Sequence, residues 1–221
     1  MTKPLIIFGT TESAQLAHYY FTRDCGSEVA AFTVDAAFLR EDGFCGCPVV
    51  PFESISESHP PSDFDLFVAL GYSKLNAVRR SRFEAARAAG YTCPSYISPR
   101  ASILNDHAIG SNCFILEDNT IQPFVRIGDN VTLWSGNHIG HHSVIEDHVF
   151  IASHVVISGN SRIGAASFIG VNATLRDGVS VGERCVIGAG ALILGDAEDE
   201  GVYMGAATER SRVPSTRLRG I

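Results

Sequence analysis

Residues 109–145 read IGSNCF-ILEDNT-IQPFVR-IGDNVT-LWSGNH-IGHHSV-I, with an aliphatic residue opening every block of six. Followed outward in both directions, the pattern holds without a gap from Ile97 to Ile193, every sixth residue being Ile, Leu or Val. A period of six matches neither the 3.6 nor the 3.5 spacing of a helix, and self-similarity at a fixed short period marks a repeat architecture. Glycine follows the aliphatic head at 110, 128, 140, 164, 170, 182 and 188, which suits a corner needing a positive φ or a close backbone approach. Four residues after the head the residue is usually compact, as at Cys113, Val125, Ser143 and Ala173. One large and one small inward residue per six describe a flat strand that turns a corner. Three such strands close a triangular coil, so residues 18 apart stack, and the coils pair in parallel about 4.8 Å apart.

The first 96 residues obey a different rule. Pro4–Gly9 and Ser27–Asp35 are short apolar runs, and Asp65–Gly71 is a third, with helical spacing over Glu12–Thr22 and Lys74–Ala89. Alternating strands and helices predict a small doubly wound parallel sheet. Its ligand crevice should lie beyond the strand C-termini, near Gly9, Asp35 and Gly71. The first turn, GTTESA from Gly9 to Ala14, keeps one glycine of the dinucleotide fingerprint, so the reading is a shorter nucleotide held on the Gly9 and Thr10 amides at a helix N-terminus. Asp35 is either a ribose or base contact or a loop acid without a ligand. The expected organisation is an α/β domain over 1–96, a hexapeptide β-helix over 97–196 and a tail over 197–221.

Composition excludes several classes. A net charge of −7 argues against general nucleic-acid binding. No apolar run reaches membrane-spanning length and the N-terminus lacks a signal-peptide pattern, so a soluble cytoplasmic protein is expected. The six cysteines are scattered, with no C-x-x-C, which indicates neither a zinc knuckle nor a disulfide framework.

Five of the eight histidines, His138, His141, His142, His148 and His154, crowd into the middle coils. In the hexad frame His141 and His142 face outward. Stepping by 18 sets His141 between Pro123 and Gly159, leaving open surface above it, and sets His142 between Phe124 and Asn160; His154 lies over Gly136. A neutral imidazole is suited to taking a proton from an amine or hydroxyl that attacks a thioester. The segment from Leu133 to His142 concentrates polar groups around that position, Asn137 and His138 among them, although Asn137 and Asn119, 18 apart at inward places, also fit a stacked amide pair. Trp134, the sole tryptophan, stands at a corner place and should cover a ligand or a neighbouring subunit.

The [Ile/Leu/Val]-Gly-x4 units resemble the hexapeptide-repeat acyltransferase superfamily, which implies a left-handed parallel β-helix. An α/β domain of this length followed directly by the repeat and the NHIGHH segment resembles, over nearly the whole chain, the sugar acyltransferases related to sialic acid O-acetyltransferase. Closest in layout are the bacterial nucleotide-linked amino-sugar N-acetyltransferases. The resemblance implies a homotrimer whose Rossmann-like N-terminal domain holds the nucleotide-linked amino sugar. It also implies coenzyme A, delivered as acetyl-CoA, in a groove between subunits; no metal is expected, and the charge and hydropathy above lead to no nucleic-acid or membrane partner. It assigns His141 as catalytic base, with His142 where some members carry an acid, so that Glu146, Asp147 or a neighbouring subunit would supply the acid. It assigns Trp134 to the sugar and Gly159, Val171 and Ala189 to the pantetheine channel. The segment Gly201–Ala207 resembles the closing segment over the coenzyme. Of the arginines beyond it, Arg210, Arg212, Arg217 and Arg219, Arg210 is the expected phosphate contact.

The leading expectation is acetyl-CoA-dependent N-acetylation of a nucleotide-linked 4-amino-6-deoxy sugar by direct attack. Its rivals are O-acetylation of a sugar hydroxyl, a zinc carbonic-anhydrase-like β-helix protein using the histidines, and a non-catalytic trimeric binding module.

Overall fold

The computed structural model describes residues 3–217. In the N-terminal part the elements are β1 (Leu5–Phe8), α1 (Glu12–Asp24), β2 (Val29–Val34), β3 (Gly43–Phe44), β4 (Cys47–Pro51), α2 (Ile55–Ser58), β5 (Asp65–Val68) and α3 (Ala77–Ala88). The sheet order is β3-β4-β2-β1-β5, parallel throughout except that β3 turns back on β4. The strand run LIIF is buried at every residue because both faces are covered. Leu5, Ile7, Phe32 and Phe67 pack with Ala14, Ala17 and Phe21 of α1. Ile6, Phe8, Leu66 and Val68 pack with Phe83 and Ala86 of α3. The three expected strands and two expected helices are present. The β3–β4 hairpin was not expected: Pro48 and Pro51 bracket β4, and proline lacks the amide donor that strand pairing uses.

From Tyr96 onward the chain coils. Two-residue strands pair in parallel with partners 18 positions away, as Thr132 with Phe150, His138 with Val156 and Val144 with Arg162. They form three flat faces of seven, six and four strands. The first face carries Phe114, Thr132, Phe150 and Phe168, the second Thr120, His138, Val156 and Thr174, and the third Arg126, Val144, Arg162 and Ser180. The aliphatic heads and the compact residues four places later fill one continuous core. The first face extends past the expected end of the helix, since Val202–Tyr203 pairs with Val186–Ile187 and Ala197 bridges to Val181. Part of the expected tail is therefore the last turn of the coil.

The corners separate two demands. Every sixth residue from Asn112 to Gly190 has a positive φ, whether it is Asn130 (57°), His142 (58°), Ala166 (58°) or Gly178 (75°). The glycines after the heads do not supply that conformation; they stand two places earlier and permit contact between turns. A Cβ on Gly164 would lie 2.5 Å from the Gly182 backbone, closer than atoms pack.

The N-terminal part sits on the first face. Tyr96, Phe114 and Leu116 join the cluster around α1, and Tyr72 packs its ring against Phe150 and Phe168. A polar ladder crosses the seam. The Val68 amide donates to Asn112 Oδ1 at 2.7 Å, Asn112 Nδ2 donates to Asn130 Oδ1 at 2.8 Å, and Asn130 Nδ2 meets His148 Nδ1 at 3.0 Å. Because a backbone N–H fixes the direction of this chain, His148 Nδ1 must accept, so the ring is neutral there. Arg79 of α3, 1% exposed, donates to the carbonyls of Asn130 and His148 and to Asn76 Oδ1. Asn76 in turn donates to the Ala166 carbonyl. Burial lowers Arg79 to about 10, which still leaves it charged at neutral pH. Burial also lowers His148, with Arg79 and Arg80 adding to the shift and Asp147 and Glu84 opposing it.

Gly164→Ala is expected to destabilise the protein by about 3 kcal/mol, whereas Gly178→Ala, with open space around its Cβ position, should cost about 1 kcal/mol; chemical denaturation compares them. His148 binds its proton less readily folded than unfolded, so its stabilising contribution is complete above the unfolded value near 6.5 and is lost as pH falls below it. His148→Asn keeps an acceptor in the ladder without titrating. Its denaturation midpoint is expected to fall less than the parent's between pH 7.5 and 5.5, because the parent alone loses the contribution of a neutral buried imidazole as the unfolded chain takes up its proton.

Candidate active site

The corner between the second and third faces carries His141 and His142, both exposed. It is pinned from inside by Ser143, which is fully buried and whose hydroxyl donates to the Ser158 carbonyl at 3.2 Å. The His141 amide donates to Gln122 Oε1 at 2.9 Å, fixing the turn. His142 adopts the left-handed conformation and its ring lies 4.6 Å from that of Phe124. The two Nδ1 atoms of His141 and His142 are 3.1 Å apart, so one donates and the other accepts.

The open edge of His141 rests on bare backbone. A Cβ on Gly159 would lie 2.6 Å from His141 Cε1 and 2.7 Å from Nε2, so only glycine lets the imidazole lie there. Neighbouring corner amides are capped by side chains from an adjoining turn: Ser111 by Asp129, Asp129 by Asp147, Ala165 by Glu146 and Glu183 by Asp199. Among the described residues the Gly159 N–H makes no hydrogen bond. An imidazole nitrogen lying on the backbone of a residue whose amide is unused brings together a candidate base and a candidate oxyanion donor. If Nε2 is the accepting atom, His141 Nδ1–H donates to His142 Nδ1, so the pair sets the tautomer. The acids expected to partner His141 are engaged elsewhere: Glu146 pairs with Arg162 at 2.6 Å and Asp147 caps Asp129. The acid that faces the gap is Asp177, whose Oδ1 lies 3.0 Å from the same Gly159 Cβ position. The spacing His141, Gly159, Asp177 is twice 18, the signal that locates it in the sequence.

A second hollow opens at the C-terminal ends of the parallel strands. Thr10 lines a cavity of about 280 Å³ with Val34, Phe38, Arg40, Glu41 and Phe44. Gly9 has φ 122° and lies against the Ala69 carbonyl, while Gly71 faces open space. Asp35 pairs with Arg82 of α3 at 3.1 Å, an anchoring role for the loop rather than a free ligand contact. Phe38, Arg40 and Phe44 carry no periodic signal and were not singled out by the sequence.

Other expected positions disperse. Asn137 is a correction: it is 1% exposed, donating to the Trp134 carbonyl and accepting from the Val155 amide at 2.8 Å, so it faces the coil interior and no substrate. Asn119 donates to the same Trp134 carbonyl at 2.9 Å, so the two amides share an acceptor rather than each other. Trp134 packs in the seam, against the α1 cluster and beside Ser13 and Phe150, because the first face is covered there. His138 lies on the second face, half-buried. Val171 and Ala189 are exposed at the corner between the first and second faces, not at the corner of Gly159. Arg210 is exposed; among the described residues its side chain makes no ion pair or hydrogen bond. Arg219 lies outside the described residues. The five histidines occupy three corners and one face, and among the described residues no three His, Cys, Asp or Glu side chains converge as a metal would require.

Residues 106–141, 124–159 and 160–195 match the bacterial transferase hexapeptide family. The whole fold is similar to the acetyltransferase domain of PglB from Neisseria gonorrhoeae FA1090, solved with acetyl coenzyme A: TM-score 0.82, 26% identity, covering 93% of this chain and 97% of that one. It is also similar to PerB from Caulobacter crescentus, solved with CoA and GDP-perosamine: TM-score 0.82, 24% identity, covering 93% and 95%. WeeI from Acinetobacter baumannii AYE shares the fold at TM-score 0.63 and 18% identity, covering 87% and 94%.

Proposed function

We propose that this chain, a hexapeptide-repeat sugar acyltransferase, transfers the acetyl group of acetyl-CoA to the 4-amino group of a nucleotide-linked 4-amino-6-deoxy sugar, with His141 as general base. The observation that carries the reading is the seating of His141 Nε2 against the bare backbone of Gly159, whose N–H makes no hydrogen bond among the described residues. The neutral amine attacks the thioester carbonyl carbon and the C–N bond forms. The carbonyl oxygen becomes an oxyanion on the Gly159 amide, and the amine proton passes to His141 Nε2. The intermediate then collapses with cleavage of the C–S bond, and the coenzyme sulfur takes that proton. No covalent enzyme intermediate is needed. His142, held against Phe124, accepts from His141 Nδ1 and keeps Nε2 free.

The likeness to two acetyltransferases over both parts of the chain supports a Rossmann-like nucleotide site in the N-terminal domain. The Thr10 cavity is the candidate for the nucleotide, with the Gly9 and Thr10 amides toward its phosphates. A homotrimer completes the coenzyme site. Gly159 stands on one corner and Val171 and Ala189 on another, so a channel lined by all three draws them from two copies packed side by side. The left hand of the coil follows from the same resemblance.

Release of coenzyme A thiol from acetyl-CoA with UDP-, dTDP- and GDP-linked 4-amino sugars tests the reading, turnover being expected with one nucleotide series. His141→Ala is expected to lower kcat by about 10² to 10⁴ with acetyl-CoA affinity nearly unchanged; full activity in that variant would remove His141 from the chemistry. His142→Ala should lose roughly tenfold in kcat, and His142→Asp, which still accepts from Nδ1, should recover most of it.

A further inference from the structure

We propose that Asp177 receives the ammonium group of the acceptor sugar beside His141 and so selects an amine over a hydroxyl, an inference that rests on the acetyl-transfer reading above. Asp177 stands one turn beyond Gly159 on the same corner as His141. Its Oδ1 and His141 Nε2 approach one point above Gly159, at 3.0 and 2.7 Å, yet among the described residues no hydrogen bond or ion pair joins them. The two atoms therefore lie no more than about 6 Å apart, a span that one nitrogen standing off the Gly159 backbone bridges with an ordinary hydrogen bond to each. Asp147 and Asp129 each cap the amide 18 positions earlier. Asp177 stands in the same relation to the Gly159 amide but makes no such bond, so both its carboxylate and that amide stay unused.

The electrostatics decide what fills the gap. A bare carboxylate beside a developing oxyanion opposes the reaction. The bound ammonium neutralises the carboxylate before reaction, and the positive charge that the attacking nitrogen regains as the C–N bond forms offsets that opposition. An ammonium carries three N–H donors, one for His141 Nε2 and one for Asp177, with one to spare. A hydroxyl carries a single proton, which the base needs, and would turn an oxygen lone pair toward the carboxylate. Of the three ammonium protons, one leaves to solvent through His141 as the neutral amine forms. The second passes to His141 as the C–N bond forms and then to the departing coenzyme sulfur, and the third remains on the amide nitrogen.

Steady-state kinetics of the full-length protein, Asp177→Asn and Gly159→Ala, with nucleotide-linked 4-amino sugars and their 4-hydroxy counterparts, test this. Asp177 is exposed and unbonded, so the Asn variant is expected to fold with unchanged acetyl-CoA affinity. Its KM for the amino sugar should rise at least tenfold, and the amine-to-hydroxyl ratio of kcat/KM should fall at least tenfold. Gly159→Ala meets only side-chain ends, so it should fold as well, while its methyl fills the gap and abolishes turnover. Turnover of the amino sugar by wild type with unchanged KM and discrimination in Asp177→Asn would overturn the role of Asp177 alone. Parent-level activity in Gly159→Ala would overturn the gap as the acceptor's seat. Turnover of hydroxy sugars only by the wild type would overturn the amine reading and Asp177's role with it.

Discussion

Contact between the backbones of successive turns is the constraint on which the rest of this structure depends. Where glycine follows an inward aliphatic residue, the next turn comes within a distance that no Cβ would tolerate, as at Gly140, whose Cβ position lies 2.5 Å from the Gly159 amide nitrogen. That approach keeps the 18-residue step constant, and with it the stacking of every side chain above its counterpart. The left-handed residue two places later turns the chain onto the next face. A site built on such a corner inherits its geometry from hydrogen bonds and contacts spread over several turns. The placement of His141 therefore needs no flexible loop.

The seam with the N-terminal domain shows the same lattice used for a different purpose. Asn112, Asn130 and His148 are stacked corner residues, and they become a relay because Val68 and Arg79 meet them from the other domain. A buried guanidinium without a carboxylate partner is costly to desolvate. Here backbone carbonyls and Asn76 take up its donors, apart from Nε. The arrangement fixes the orientation of the α/β domain on the first face and leaves the His141 corner clear of it.

Much of this was legible in the sequence because the repeat turns linear spacing into neighbourhood. A step of 18 brings His141 over Gly159, His154 over Gly136 and His142 beside Phe124, and each contact is present. One more step reaches Asp177. What escaped depends on contacts that no period encodes. Trp134 occupies a corner place, but the other domain covers it. Asn137 sits in a polar stretch, yet the hexad's inward place buries it. Asp35 ends a strand as expected and is claimed by Arg82, 47 residues later in sequence. The cavity around Phe38, Arg40 and Phe44 arises from a hairpin whose prolines obscure its strand.

At the candidate site three groups meet the same stretch of bare backbone: the Nε2 of His141, the Gly159 amide and the Asp177 carboxylate, none of them hydrogen-bonded among the described residues. A structure of the protein with acetyl-CoA bound tests this most directly, read as the distance from the acetyl carbonyl oxygen to the Gly159 amide nitrogen. The expected result is a hydrogen bond of about 2.7–3.1 Å with His141 Nε2 facing the thioester. A thioester seated at another corner, or a Gly159 amide capped by Asp177 while the coenzyme is bound, would contradict it.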